Sequence, residues 1–266
     1  MKKLLALILA ALMLLMMVPA MADADTSLDD LLAKGTLVLG LDDTFAPMGF
    51  RDPDTNEIVG FDVDLATKVC EILGVELVLQ PIDWDSKEME LASGNVDCLW
   101  NGFSINDERL ASMAMTDAYM NNAMALVSSD PECLTVEQLA GKVLGVQAAS
   151  YAEEMMFSED WADFYGSLAD MVSFPEYATA FLDLANGNLN AILVDRVYAG
   201  YTTANLDGEY YIGEDLEDDL YAVGFRLGAN ALRDKVNEIL SQLKEDGTMA
   251  ELSTKWLGED FIYYGE

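Results

Sequence analysis

The chain has 266 residues, 48 acidic against 14 basic side chains, no histidine and a formal net charge of −34. That charge argues against nucleic acid as a partner, because phosphates are repelled. The absence of histidine excludes Ser-His and Cys-His nucleophiles and histidine-ligated zinc, and three cysteines cannot make a four-cysteine zinc site.

The chain opens with Met1-Lys2-Lys3, an apolar run over 4–18, a break at Pro19 and the small-x-small pattern Ala20-Met21-Ala22. This reads as a secretory signal over 1–22, cut after Ala22 or Ala24. The apolar run is short for a membrane span. The first cysteine is Cys70, so no lipid attachment is expected at the cut. The mature protein is expected to be exported and soluble, in a periplasm or on the outer face of the cell membrane.

Beyond the leader, 36–40 reads as a buried strand. Phe61, Leu65, Val69 and Ile72 recur at helical spacing before a stop at Gly74. A strand over 75–79 ends at Pro81, a short helix over 89–92 closes at Gly94, and 96–100 is another strand. The rhythm then repeats, with strands at 142–146, 171–174 and 191–194 and helices at 151–157 and 177–186. This is β-α-β-α-β twice over, the pattern of parallel sheets faced by helices. Extended segments at 122–128 and 220–227 join the two units, and Leu232, Val236, Ile239, Leu240 and Leu243 form the apolar stripe of a last helix. Two crossings between two α/β units imply a bilobed protein with a cleft. Of the cysteines, Cys70, Cys98 and Cys133 allow at most one bridge, and Cys98 reads as a buried free thiol.

Ligands of open α/β sheets gather after the carboxyl ends of strands, so the candidate residues are sought there. After 96–100 come Gly102, which lets a ligand approach the backbone, the Ser104 hydroxyl, and Arg109, whose planar fork suits a carboxylate or else a surface ion pair. After 143–146, Ser150 can cap a helix with Glu153 at capping-box spacing, and the free N–H groups there favour an anion. After 191–194, Asp195 can hold an ammonium group or cap a helix. Asp42 and Phe45 lie in the loop after the first strand and Trp84 after the strand over 75–79; the two aromatic rings read as pocket walls or as core. Asp52 to Asn56 begins like a calcium loop, but Glu57 and Val63 stand where Gly and Glu are needed, so it reads as a turn. No metal or cofactor is expected.

In order along the chain stand Phe45-Ala46-Pro47, Gly60-Phe61-Asp62, Leu91-Ala92-Ser93-Gly94, the Gly102 to Arg109 segment, Leu139-Ala140-Gly141-Lys142, Leu184-Ala185-Asn186-Gly187 and Lys255-Trp256-Leu257-Gly258. The ordered set resembles the family 3 extracellular solute-binding proteins of polar amino-acid ABC importers. The resemblance implies the two-lobed type II periplasmic binding protein fold, with two Rossmann-like lobes joined by two crossing strands. Lobe 1 would hold 25–122 plus 220–266 and lobe 2 128–217, with hinge strands near 122–128 and 217–224.

It also implies roles. Arg109, helped by backbone N–H groups at Ser150, would take the α-carboxylate of a free amino acid. Asp195, the Gly102 carbonyl and the Ser104 hydroxyl would take the α-ammonium. Phe45 and Trp84 would flank the side chain, and Asp42 would meet a polar or basic end. Asn106, Ala148 and Asn190 depart from the usual Thr, Gly and Asp. The implied partners are the permease subunits, with the protein a monomer that closes on its ligand and does no chemistry. Two alternatives remain open: a cyclohexadienyl or arogenate dehydratase on the same fold, with Glu176 as the nearest acid, and a ligand-sensing subunit.

Overall fold

The computed structural model describes residues 24–265. The secretory reading of 1–22 lies outside the described residues. Among those described, no helix is long and apolar enough to cross a membrane.

A short helix α1 (Ser27–Lys34) leads into β1 (Thr36–Leu41), and a small three-stranded sheet follows from β2 (Thr44–Phe45), β3 (Gly49–Arg51) and β4 (Ile58–Val59). Helix α2 (Phe61–Leu73) buries Phe61, Leu65, Ala66 and Val69 against Leu37, Leu39 and Leu41. Each such leucine or valine contributes roughly 1.5–3 kcal/mol by leaving water. Gly74 ends the helix in the left-handed region at φ 74°, its N–H donating to the Cys70 carbonyl at 2.9 Å. Ile72 departs from the expected stripe. It is 49% exposed, because the buried face passes through Cys70 instead.

The first large sheet is completed by β5 (Glu76–Pro81), β6 (Cys98–Leu99), β7 (Met113–Met115) and β13 (Gly224–Arg226), with helices α3 (Lys87–Ser93) and α4 (Asp107–Ser112) between them. Its order is β5-β1-β6-β13-β7; β5 and β6 run parallel to β1, and β13 antiparallel to β6 and β7. Only Cys98 and Leu99 of the expected 96–100 strand pair as strand, although Val96 and Trp100 are buried on either side.

The second sheet repeats the plan. It contains β8 (Met120–Ser128), β9 (Val143–Gln147), β10 (Asp170–Phe174), β11 (Ala191–Asp195) and β12 (Tyr211–Tyr221), in the order β10-β9-β11-β8-β12. Its helices are α5 (Tyr151–Met156), α6 (Ala162–Ser167), α7 (Tyr177–Ala185) and α8 (Arg196–Asn205). Strands β9, β10 and β11 are parallel, while β8 and β12 run antiparallel, paired from Tyr211↔Ser128 to Tyr221↔Met120.

The chain returns to the first sheet through Ala222 and Val223, and α9 (Asn230–Glu245) and α10 (Thr248–Leu257) close the fold. The expected 220–227 segment is therefore two strands, the first beginning nine residues earlier at Tyr211. Strand β12 is an edge strand whose Glu214, Asp215 and Asp218 face solvent, so its acid-rich sequence hides a strand. Cys70, Cys98 and Cys133 are all buried free thiols.

Candidate functional site

The carboxyl ends of both parallel sets of strands open onto one narrow cavity. Every residue given a ligand contact above lines it, namely Asp42 after β1, Phe45 on β2, Trp84 after β5, Gly102 and Ser104 after β6, Arg109 on α4, Ser150 before α5, and Asp195 at the end of β11, whereas Glu176 lies outside it. Four more complete the wall: Asn101, Gln147, Tyr151 and Tyr177.

Arg109 is 2% exposed. It donates to the Ser104 carbonyl at 2.9 Å and to Glu154 at 2.8 Å, and its guanidinium carbon lies 4.4 Å from the centre of the Phe103 ring. Its Nε is buried and has no hydrogen-bond partner among the described residues. A buried, unpaired donor on a charged group is costly, which makes this atom the natural contact for an anion. Helix α4 starts with Asn106, whose side chain accepts from the Arg109 N–H at 2.8 Å and donates to the second oxygen of Glu154 at 2.7 Å. The departure at Asn106 therefore has a structural use. It caps the helix that carries Arg109 and ties that helix to α5.

Gly102 takes φ 59°, and a Cβ there would lie 2.8 Å from the Phe45 ring and 3.1 Å from that of Tyr221, so only glycine fits. Its N–H donates to Asp62 at 2.7 Å, and Asp62 also accepts from the Tyr119 hydroxyl at 2.7 Å. Burial pushes the Asp62 carboxyl up to about 7. The Ser104 hydroxyl donates to Asp219 at 2.8 Å.

On the facing wall, Asp195 stands at the N-cap of α8 but makes no side-chain cap bond. Its Oδ1 accepts from Asn122 at 2.9 Å and from the Tyr221 hydroxyl at 2.6 Å, so Oδ2 has no side-chain donor among the described residues. Burial pushes this carboxyl up to about 6, against the lowering pull of its hydrogen bonds and of Arg109. Ser150 does cap α5, accepting from the Glu153 N–H at 3.2 Å. The reciprocal arm of the box lands one residue early, because Glu153 accepts from the Ala149 N–H at 2.7 Å. The Ser150 N–H closes a turn onto the Gln147 carbonyl at 3.3 Å.

Two further bonds join the walls. Gln147 donates to Asp42 at 2.8 Å, and the buried Lys87 donates to the Ala149 carbonyl at 2.7 Å. Burial, then the charge of Arg109, brings Lys87 down to about 8. Phe45 packs 4.9 Å from the Tyr198 ring and 6.2 Å from Tyr177, while Trp84 meets Phe103 edge-on at 5.9 Å. Lys87 and Glu154 carried no signal in the sequence, since a charge near the start of a helix normally faces solvent.

Asp42 and Trp84 also line a second cavity of about 570 Å³, rimmed by Asp43, Asp83, Asp85, Glu90 and Glu176. Burial first, then Asp42, Asp43 and Asp83, raise Glu176 above the usual carboxylate range. No cluster of potential metal ligands occurs among the described residues. A buried cation with a free donor, facing a buried carboxylate with a free acceptor, suits a small zwitterion.

The sequence profile of the bacterial extracellular solute-binding proteins, family 3, matches residues 37–259. The L-cystine-binding protein TcyJ of Escherichia coli K12 is 32% identical over 231 residues, covering 85% of this chain and 84% of its own. The lysine/arginine/ornithine-binding periplasmic protein of the same strain is 28% identical, covering 87% and 90%. Among solved structures, an ABC uptake transporter substrate-binding protein from Streptococcus pneumoniae with bound histidine superposes with a TM-score of 0.85. It is 35% identical and covers 91% of this chain and 99% of its own.

Proposed function

The chain belongs to the bacterial extracellular solute-binding proteins of family 3, and from that premise we propose that it captures a free amino acid and delivers it to an ABC importer. The observation that carries the reading is the pairing of Arg109 and Asp195 on opposite walls of one cavity. A zwitterion leaves water at high cost unless both charges find partners. Arg109 takes the carboxylate. Asp195, the Gly102 carbonyl and the Ser104 hydroxyl take the ammonium, and Phe45 and Trp84 flank the side chain.

In this reading the two lobes are 25–122 plus 220–266, built on the first sheet, and 128–217, built on the second, with the ends of β8 and β12 running between them. A ligand held by both is bound tightly only when they are closed, which is the differential affinity that drives closure. The relatives named for periplasmic binding support an exported location, and permease subunits are the partners in this reading. The same names support a binding protein without catalytic activity. Incubation with prephenate or arogenate should yield no aromatic product, and an aromatic product would transfer the assignment to an enzyme using Glu176.

The rim of carboxylates beyond Asp42 favours a ligand with a positive charge at the far end of its side chain, as in arginine, lysine, ornithine or cystine. The deciding experiment is a thermal-shift screen against the twenty amino acids plus ornithine and cystine. Shifts led by cationic amino acids are the expected result. A rise confined to acidic amino acids would sink the side-chain assignment, and no rise with any amino acid after unfolding and refolding would sink the function.

A further inference from the structure

Asp219 plays no part in the reading above, yet it is buried among the groups that carry it. It lies on β12, and its Oδ2 accepts from the Ser104 hydroxyl at 2.8 Å and from the Asn122 amide at 2.8 Å. The same Asn122 nitrogen donates to Asp195 Oδ1 at 2.9 Å, so one amide gives a hydrogen to each of two carboxylates. Its orientation is set from the other end, where Asn122 Oδ1 accepts from the Val197 N–H at 3.4 Å. Neither carboxylate pairs with a lysine or arginine among the described residues.

Two consequences follow from elementary chemistry. A serine hydroxyl has one hydrogen, and here Asp219 takes it; what Ser104 can offer the cavity is its lone pairs alone. That makes it an acceptor, which an ammonium group needs and a carboxylate would avoid. Second, two buried carboxylates bridged by one amide cannot both ionise cheaply without a cation beside them.

We propose that Asp219 is a positioning residue for ammonium recognition: it fixes Ser104 as an acceptor and, together with Asp195, holds a proton that leaves for solvent when the ligand's ammonium arrives. The proposal rests on the amino-acid reading of the cavity. The ammonium's positive charge replaces the departing proton, so the pair stays compensated and no bond other than O–H is broken.

Burial holds Asp195 at about 6 and Asp219 at about 7, the latter raised further by Asp195 itself. The other titratable or charged groups facing the pair are Arg109, Tyr119, Tyr151, Tyr177, Tyr198 and Tyr221. Burial pushes all five phenols upward, so they stay neutral near pH 7. Asp62, which accepts from the Tyr119 hydroxyl on the other side, is also pushed up by burial to about 7; it is unchanged in the variants below, so the difference between their pH profiles and that of the unaltered protein reports the pair. A carboxyl held protonated in the free protein and ionised in the complex makes the complex bind fewer protons. Affinity then rises with pH through the range from about 5 to about 7 and levels off above it.

The test is calorimetric titration with L-arginine and with L-glutamine from pH 5 to 8, where neither amino acid changes charge appreciably. Glutamine is included because its neutral side chain is indifferent to Asp42 and Glu176. For the unaltered protein the expected gain is up to about tenfold in affinity per pH unit below neutrality. Asp219→Asn keeps an oxygen for Ser104 and Asn122. It is expected to bind within about threefold of the unaltered protein at pH 7.5, with a flattened pH profile. Asp219→Ala frees the Ser104 hydrogen to turn into the cavity, with an expected loss of at least about tenfold at pH 7.5. Asp219→Ala binding as tightly as the unaltered protein, or Asp219→Asn with an unchanged pH profile, would overturn the proposal. Failure of both amino acids to bind the unaltered protein would instead overturn the reading on which it rests.

Discussion

Arg109 and Asp195, the two poles of the cavity, are supported in opposite ways. Arg109 is compensated inside the protein: Glu154 neutralises it across the walls, the Ser104 carbonyl takes a second N–H, and the Phe103 face lies beneath it. Asp195 has hydrogen bonds and the more distant pull of Arg109 but no ion pair among the described residues, and Asp219, which shares Asn122 with it, is of the same sign. The cationic pole is therefore part of what joins the two walls of the cavity, whereas the anionic pole is a carboxylate with room for a partner. Burying an uncompensated carboxylate costs stability, and the family's ligands carry the ammonium that offsets it. One pole serves fold and binding together; the other trades fold for binding.

The sharpest way to break this contrast is to remove one pole at a time and read binding and stability separately. Arg109→Ala carries the largest expected effect. The ligand carboxylate would be left buried and unpaired, for a loss of about 3–5 kcal/mol, or roughly 10²–10³-fold or more in affinity. The same change removes the countercharge of Glu154, which keeps only the Asn106 amide, and the side-chain donor to the Ser104 carbonyl, so the ligand-free protein should also melt earlier, by about 1–3 kcal/mol of stability. Titration calorimetry and thermal melts without ligand check the two halves. Unchanged affinity for the best ligand would end the assignment of Arg109.

Asp195→Asn should separate the two quantities. The amide oxygen must sit where Oδ1 sits, because Asn122 and Tyr221 both donate there. The amide N–H2 then points where the ammonium would bind, and affinity should fall by about 1.5–3 kcal/mol. Stability should move the other way. The folded carboxyl is raised from 3.8 to about 6, so the fold favours its neutral form. Its destabilising contribution is absent well below pH 4, grows as pH rises through that interval, and is fully present at neutrality. Removing the charge should therefore raise ligand-free stability at pH 7 by about 1–3 kcal/mol and have little effect near pH 3. A variant that binds less and melts earlier at pH 7 would show that Asp195 is compensated after all.

What could be read from the sequence divides along the same line. Residues placed by one strand and its following loop were legible: Asp42, Ser104, Arg109, Ser150 and Asp195 each stand just past a strand, and all reach the cavity. Groups that matter through a partner far away in the chain were not. Asp219 sits in the acidic run Glu214 to Asp219 of an acidic protein, and nothing local separates it from Asp215 or Asp218. Only its pairing with Asn122 across β8 and β12 turns it inward. Glu154 and Lys87 look like solvated helix charges until the two walls meet. Ile72 fails for the converse reason: helical spacing gives the face, but the width of that face is decided by what packs on it.

The smallest expected effect tests whether the wall that carries Asp195 is itself under tension. Ala149, between β9 and Ser150, takes φ 53°, a left-handed conformation that costs an L-residue about 1–2 kcal/mol. Its N–H is held by Glu153 at 2.7 Å and its carbonyl by Lys87 at 2.7 Å, so two charged side chains, one from each wall, keep it there. The family's usual glycine one position earlier, at Ala148, would ease the turn nearby but not at the strained residue. Ala149→Gly removes the Cβ and leaves both backbone bonds in place. If Lys87 and Glu153 enforce strain, the variant should gain about 0.5–1 kcal/mol without ligand, the relief of strain being partly offset by the added freedom of glycine in the unfolded chain. Thermal melts measure this directly. A loss of similar size would mean that the turn is relaxed as built, and that the cost of closure on this wall falls on the Asp195 carboxylate alone.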